Sequence, residues 1–310
     1  MASIVFKQAL FRGVGLHSGR NASATVKLAT AGSGITFELL DHGRAQIPAL
    51  WTSVSSTNHC TTLADDVHRP VATVSTVEHL LAALHMCHIH DAVVEVEGPE
   101  IPILDGSSLP FVQGLRENGL SKERTHEKGD LLDPPPYSFI RVLQPVQATL
   151  GRQGTVGWLL PPPTNTGTVQ RRPQLSLSVD VDFSHKSLPR RVVSGALHDS
   201  TFIEQVAAAR TFTFEEEYDV LVKAGLVGGG SMENAILYDA QGVPMNEHGL
   251  RMKDEHAWHK MLDCVGDLTL AGLPIDGHYH AIKPGHGLNV RMVQHLMEDV
   301  NNHAIVRNGV

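Results

Sequence analysis

The sequence predicts an α+β protein built in two parts. Three observations carry this. In each half, stretches with strand-like alternation come before stretches with helical periodicity, and the helices fall on one side of a sheet rather than alternating with its strands. Residues 121–136, SKERTHEKGDLLDPPP, are charged and then proline-rich, the composition of a connecting segment. The chain has 310 residues, room for two domains of ~100–200 residues each. The expected division is a domain over 1–127, a linker over 128–137 and a second domain over 138–310.

The first half opens with a glycine-rich stretch, GVGLHSG (13–19), which reads as a turn before a strand. Residues 22–28 and 35–39 then alternate apolar and polar side chains, the pattern of half-buried strands, with a turn over 31–34 between them. Residues 51–62, WTSVSSTNHCTT, form a polar segment. Residues 75–87, STVEHLLAALHMC, predict a helix with Val77, Leu80, Leu81 and Leu84 on its buried face. Ser75 is placed to cap it, with Glu78 closing a capping box. A strand over 92–97 turns Val94 and Val96 inward and Glu95 and Glu97 outward. Residues 99–112 read as a proline-bounded loop turning at Asp105-Gly106, and 111–115 open a second helix.

In the second half, residues 160–173 read as an extended surface loop. Residues 175–183 alternate cleanly, with Leu175, Leu177, Val179, Val181 and Phe183 on one face. Helices are expected over 201–210 and 215–224, the latter ending at Gly225. Gly228-Gly229-Gly230 leads into a strand over 234–238; it lacks the lysine and hydroxyl residue of a phosphate-binding loop. A helix follows over 256–270, then a short strand over 277–283. Gly285-His286-Gly287 is expected to be a tight turn before a terminal helix over 288–300.

Composition narrows the function. The formal net charge is -8 and no basic stripe offsets it, which argues against a nucleic-acid partner. Three scattered cysteines exclude a disulfide framework and a thiolate zinc site, and fit a reducing compartment. No apolar run reaches 18 residues, so no membrane span is expected. The first residues lack the features of a secretory signal.

The chemistry concentrates in HAWHKMLDCVGDLTL (256–270). Trp258, Met261, Leu262, Val265 and Leu268 recur at helical steps and form a buried stripe. Beside it runs a polar row at four-residue steps: His259, Asp263, Asp267. Side chains four apart share a helix face. A row of ionisable groups beside a core face is costly unless something binds it, and a divalent metal would. The alternative is an exposed helical ion pair. Glu78 and His79 read by themselves as the start of a helix.

Four motifs stand together: TVEHLL (76–81), ARTFTF (209–214), HKMLDCVGD (259–267) and GHGLN (285–289). With GVGLHSG, PEIPILDGS and GGS-x-x-NAI they resemble, in order from about residue 7 to 297, the LpxC family: zinc-dependent UDP-3-O-acyl-N-acetylglucosamine deacetylases of lipid A synthesis. The resemblance implies two domains of similar topology, each a sheet layered on helices, with the active site at their interface. It implies one catalytic zinc ion held by His79, His259 and Asp263. Such a three-ligand site keeps a position open for water. It further implies Glu78 as general base, His286 as the cation that stabilises the oxyanion and protonates the leaving amine, and Asp267 as the partner fixing the tautomer of His286. Thr211 and Lys260 would lie by the acetyl carbonyl.

The implied substrate is an acylated UDP-sugar. His17 would lie near it, and an insert over 213–238 would build an apolar passage lined by Phe212, Phe214, Leu221, Leu226 and Val227. A monomer is expected, with transient contact at a membrane surface and a cytoplasmic location in a bacterium, or an organelle in a eukaryote. Gly287 and Val290 depart from the residues usual in the family, Ala and Asn, and no clamp for the diphosphate is evident. A zinc amidohydrolase of another acylated sugar, or a non-catalytic binder of acyl-sugar nucleotides, are the competing readings.

Overall fold

The computed structural model describes residues 7–121, 138–151, 154–163, 173–183, 187–197 and 200–307. The expected linker at 128–137 and residues 164–172 of the expected surface loop lie outside them.

In the first half, four strands come early: β1 (Gln8–Val14), β2 (Asn21–Leu28), β3 (Ile35–Leu39) and β4 (Ala45–Pro48). Three short ones follow: β5 (Val54–Ser56), β6 (Thr62–Ala64) and β7 (Thr73–Val74). Next come α1 (Glu78–Met86), β8 (Ala92–Glu97) and α2 (Leu109–Glu117). The main sheet has the order β1-β2-β8-β3-β4. Thus β2 and β3, neighbours in sequence, are separated by β8, which runs antiparallel to one and parallel to the other. β8 suits that central place because Val94 and Val96 are buried on one face. On the other face Glu95 is held by Lys27, Nζ to Oε1 2.7 Å. The small sheet β5-β6-β7 begins in the polar segment, where no alternation announces it.

The second half contains β9 (Ser138–Val142), β10 (Val146–Leu150), β11 (Thr155–Leu160), β12 (Leu175–Val181) and β13 (Arg191–Ala196). Then follow α3 (Ser200–Ala208), β14 (Phe212–Phe214), α4 (Glu215–Lys223) and β15 (Ile236–Tyr238). The chain ends through α5 (Glu255–Leu268), β16 (Ile275–Ile282), α6 (His286–Glu298) and β17 (His303–Arg307). β16, expected as a short strand, is eight residues long and sits inside the sheet, paired with β11, β12 and β9. β14 and β15 pair separately.

The fold is α+β, as expected. α2 packs on β1, α1 packs on α2 and on α5, and α5 and α6 pack on the second sheet. The helices therefore lie between the two sheets. One buried apolar cluster runs through all these layers, from Ala9 and Phe37 to Leu177 and Leu296. Among the described residues no helix is long and apolar enough to cross a membrane.

Two local expectations are corrected. Ser75 does not cap α1. Its backbone is tied in extended form to Pro99 and Ile101, its Oγ lies 2.9 Å from that of Thr62, and the helix begins three residues later. His286 is not in a tight turn; it is the first residue of α6. Gly285 is extended, with φ −164°, and its carbonyl accepts the N–H groups of Leu288 and Asn289, which starts the helix there.

Candidate active site

Two helices bring the polar residues together. The first turn of α1 carries Glu78 and His79, and successive turns of α5 carry His259, Asp263 and Asp267. Helix α5 has a glycine, Gly266, where it crosses α1, and a Cβ there would overlap the backbone carbonyl of Glu78. This close backbone approach lets short side chains from separate helices meet.

His79, His259 and Asp263 meet there, all buried. One ligand atom from each lies within 4.8 Å of the others, the one such group among the described residues. Asp263 Oδ1 is 3.4 Å from His259 Nε2 and 3.9 Å from His79 Nε2. Two donors each ~2.1 Å from a tetrahedral ion stand ~3.4 Å apart, so the spacing fits a shared cation. The donor chemistry fits too. His259 Nδ1 lies 3.0 Å from the Ala209 carbonyl, so it carries the proton and leaves the Nε2 lone pair for the ion. Burial, then the neighbouring His259, lowers the His79 pKa to about 3, so its ring is neutral. Burial lowers that of His259 as well, against Asp263. Burial alone would raise Asp263, but Lys260 and the imidazoles hold it below the usual carboxylate range. Its second oxygen accepts from Lys260 Nζ at 2.9 Å.

Beside the triad stand Glu78 and His286, with Glu78 Oε1 3.9 Å from His286 Nε2. Burial pushes the Glu78 carboxyl up to about 7, against the pull of His286. Burial works to lower His286, but Asp267 and Glu78 outweigh it and raise that pKa to about 10. His286 is thus a cation facing a carboxyl group poised near neutrality. Asp267 Oδ2 accepts from His286 Nδ1 at 2.9 Å, the contact that the resemblance implies.

Two residues with no expected role complete this arrangement. Thr61 donates its hydroxyl to Asp267 Oδ1 at 2.6 Å and its backbone N–H to Glu78 Oε2 at 3.1 Å. Asn289 donates to Asp267 Oδ2 at 2.9 Å and accepts from the Tyr279 hydroxyl at 2.9 Å, which fixes its amide orientation. Asn289 stands in GHGLN, and its spacing of three from His286 was the available signal. Thr61 carried none.

The group opens into a cavity of about 770 Å³. Glu78, His79, His259, Asp263 and His286 line it, with Thr211, Lys260 and His17. Both ring nitrogens of His17 are buried without a hydrogen-bond partner. Its loop is held from the far side, where the N–H groups of Gly228 and Gly229 donate to the carbonyls of His17 and Leu16. The cavity's apolar lining includes Phe212, whose ring centroid is 6.2 Å from that of His259, with Phe214, Leu221 and Val227. Leu226 is a correction: it does not line the cavity. It follows the left-handed turn at Gly225, its N–H closes onto the Leu221 carbonyl, and Val227 faces the space instead. Helix α4 buries none of its residues; Tyr218, Val220 and Leu221 border the cavity, while Val222 is turned to solvent. Thr211 is held by its backbone, its N–H donating to the Gly106 carbonyl and its carbonyl accepting from Ile236 N–H, each at 2.8 Å, and the neighbouring Arg210 forms a buried pair with Glu255, Nε to Oε1 2.8 Å.

Comparison with known proteins gives one answer. The family described as UDP-3-O-acyl N-acetylglycosamine deacetylase, LpxC, matches residues 4–298. A UDP-3-O-acyl-N-acetylglucosamine deacetylase of Geobacter sp. (strain M21) is 36% identical over 301 residues, 95% of this chain and 90% of the relative. That of Anaeromyxobacter dehalogenans (strain 2CP-C) is 39% identical over 303 residues, covering 98% and 89%. That of Actinobacillus pleuropneumoniae serotype 3 (strain JL03) is 36% identical over 292 residues, covering 93% and 87%.

Proposed function

Because this chain belongs to the LpxC family of UDP-3-O-acyl N-acetylglycosamine deacetylases, we propose that it hydrolyses the N-acetyl group of a UDP-3-O-acyl-N-acetylglucosamine to the free amine and acetate. The supporting observation is a three-donor cluster, His79, His259 and Asp263, beside a carboxyl group and an imidazolium that face one another across 3.9 Å. A zinc ion held by that cluster would supply Lewis acidity to the acetyl carbonyl and to the attacking water.

The side chains do the rest. Glu78 Oε1 takes a proton from the attacking water, while the Thr61 N–H holds the other oxygen in place. Lys260 and Thr211 border the space for the acetyl oxygen and offset its developing charge. His286 holds a proton on Nε2, stabilises the same charge and delivers the proton to the departing amine nitrogen. The C–N bond breaks with that transfer, and Asp267 keeps the Nδ1–H of His286 directed inward. The 3-O-acyl chain runs between Phe212, Phe214, Leu221 and Val227, and His17 meets the sugar-nucleotide end.

On this reading the chain works as two domains, 1–127 and 138–310, with the catalytic groups at their junction. It acts as a monomer in a bacterial cytoplasm, touching the membrane only while exchanging acylated ligands. Acetate release from UDP-3-O-acyl-N-acetylglucosamine, with and without chelator, tests the proposal. Turnover that ignores zinc removal rejects it.

A further inference from the structure

PEIPILDGS contributes no side chain to the chemistry above, yet its glutamate is buried between two segments that do. Glu100 is 2% exposed. Its Oε1 accepts from Ser18 N at 2.7 Å and Ser18 Oγ at 2.5 Å. Its Oε2 accepts from Thr76 Oγ1 at 3.0 Å and His17 N at 3.3 Å. The four donors thus come from the loop that carries His17 and from the residue two before Glu78. Gly15 makes room for this: a Cβ there would overlap the Glu100 carboxylate.

Thr76 has φ 58°, in the left-handed region. For a β-branched residue that conformation is strained and persists only when the surroundings impose it. The bend it makes turns the extended Ser75 into α1 and so aims the first helical turn, Glu78 and His79. A buried carboxylate accepting from a strained residue is the kind of restraint needed.

We propose that Glu100 is a positioning residue with two separable effects. Through Thr76 it holds the strained bend that orients Glu78 and His79. Through the Ser18 and His17 N–H groups it holds His17 at the cavity. The first effect governs kcat and zinc affinity, and the second governs KM. This rests on the deacetylase reading for its kinetic part only.

The test uses the full chain. Thr76→Ala and Thr76→Gly both delete the hydroxyl; only glycine adopts the bend without strain. Thr76→Ala should weaken zinc binding to the metal-free protein, read by calorimetry, and cut kcat by up to roughly a hundredfold, the scale of a small misplacement of catalytic groups. Thr76→Gly should stay far closer to the unmodified chain in both. Glu100→Ala should lower kcat and raise KM, and adding Thr76→Gly should restore kcat while KM stays raised. Circular dichroism checks folding, and should Glu100→Ala not fold, the Thr76 pair decides by itself. Equal behaviour of that pair, or a double variant with no gain in kcat over Glu100→Ala, overturns the proposal. Zinc affinity is measured without substrate, so this outcome is distinct from failure of the deacetylase reading, which would show as an inactive unmodified chain.

Discussion

Glu78 Oε1 and His286 Nε2 stand 3.9 Å apart, too far to bond to each other and near enough for one oxygen or nitrogen atom to contact both. The two groups come from α1 and α6, and each has its remaining polar atom tied down, Glu78 by Thr61 and His286 by Asp267. Their separation is therefore fixed before substrate arrives, which is the preorganisation that proton transfer needs.

Removing either group should abolish most turnover and spare the metal. Glu78→Gln and His286→Ala are each expected to lower kcat by ~10²–10⁴, with zinc content unchanged by elemental analysis. Turnover like that of the unmodified chain in either variant would refute the assigned role.

The pH profile of kcat/KM should be bell-shaped. Glu78, raised to about 7, must lose its proton to act as base, so activity rises with pH through its ionisation. His286, raised to about 10, must keep its proton, so activity falls as pH passes through that value. A bound dication lowers both. Asp267→Asn removes a charge that raises each of them and leaves His286 only a neutral, weaker acceptor. Both limbs should move to lower pH, the alkaline one further; an alkaline limb that stays put contradicts this account.

Metal binding should be visible in stability. Zinc at ~1,000 times its Kd adds about 4 kcal/mol to a protein that binds it only when folded. The melting temperature should rise with zinc in the unmodified chain. It should not rise in His79→Ala or Asp263→Ala, nor after chelation, and a full rise in those variants would place the ion elsewhere.

Thr61→Val keeps the backbone N–H on Glu78 and deletes the hydroxyl on Asp267. A hydrogen bond to a buried charge is worth ~1.5–3 kcal/mol, or roughly 10–100-fold. A fall of that size in kcat is expected, with zinc affinity retained. Asn289→Ala should behave alike, since it also deletes a donor to Asp267.

The passage can be read with a ladder of acyl lengths. Each methylene buried is worth ~0.8 kcal/mol, about fourfold in kcat/KM. Leu221→Asp should flatten that ladder and leave short-chain substrates nearly unaffected. A ladder of unchanged slope would mean the chain runs elsewhere.

The sequence determined what short-range periodicity can encode. Helix α5 was legible because His259, Asp263 and Asp267 repeat at its own pitch beside Met261, Leu262 and Val265. β8 and β12 were legible because alternation is a property of a strand itself. Polar composition hid the small sheet that begins just after Thr61, and flanking glycines made the start of α6 read as a turn. Only the tertiary structure decided which distant residues meet. Thr61 and Asp267 lie 206 positions apart. Their contact, the bend at Thr76 held by Glu100, and the crossing at Gly266 depend on how layers stack, and no local pattern records that. The site's ligands belong to single helices; its geometry belongs to the packing between them.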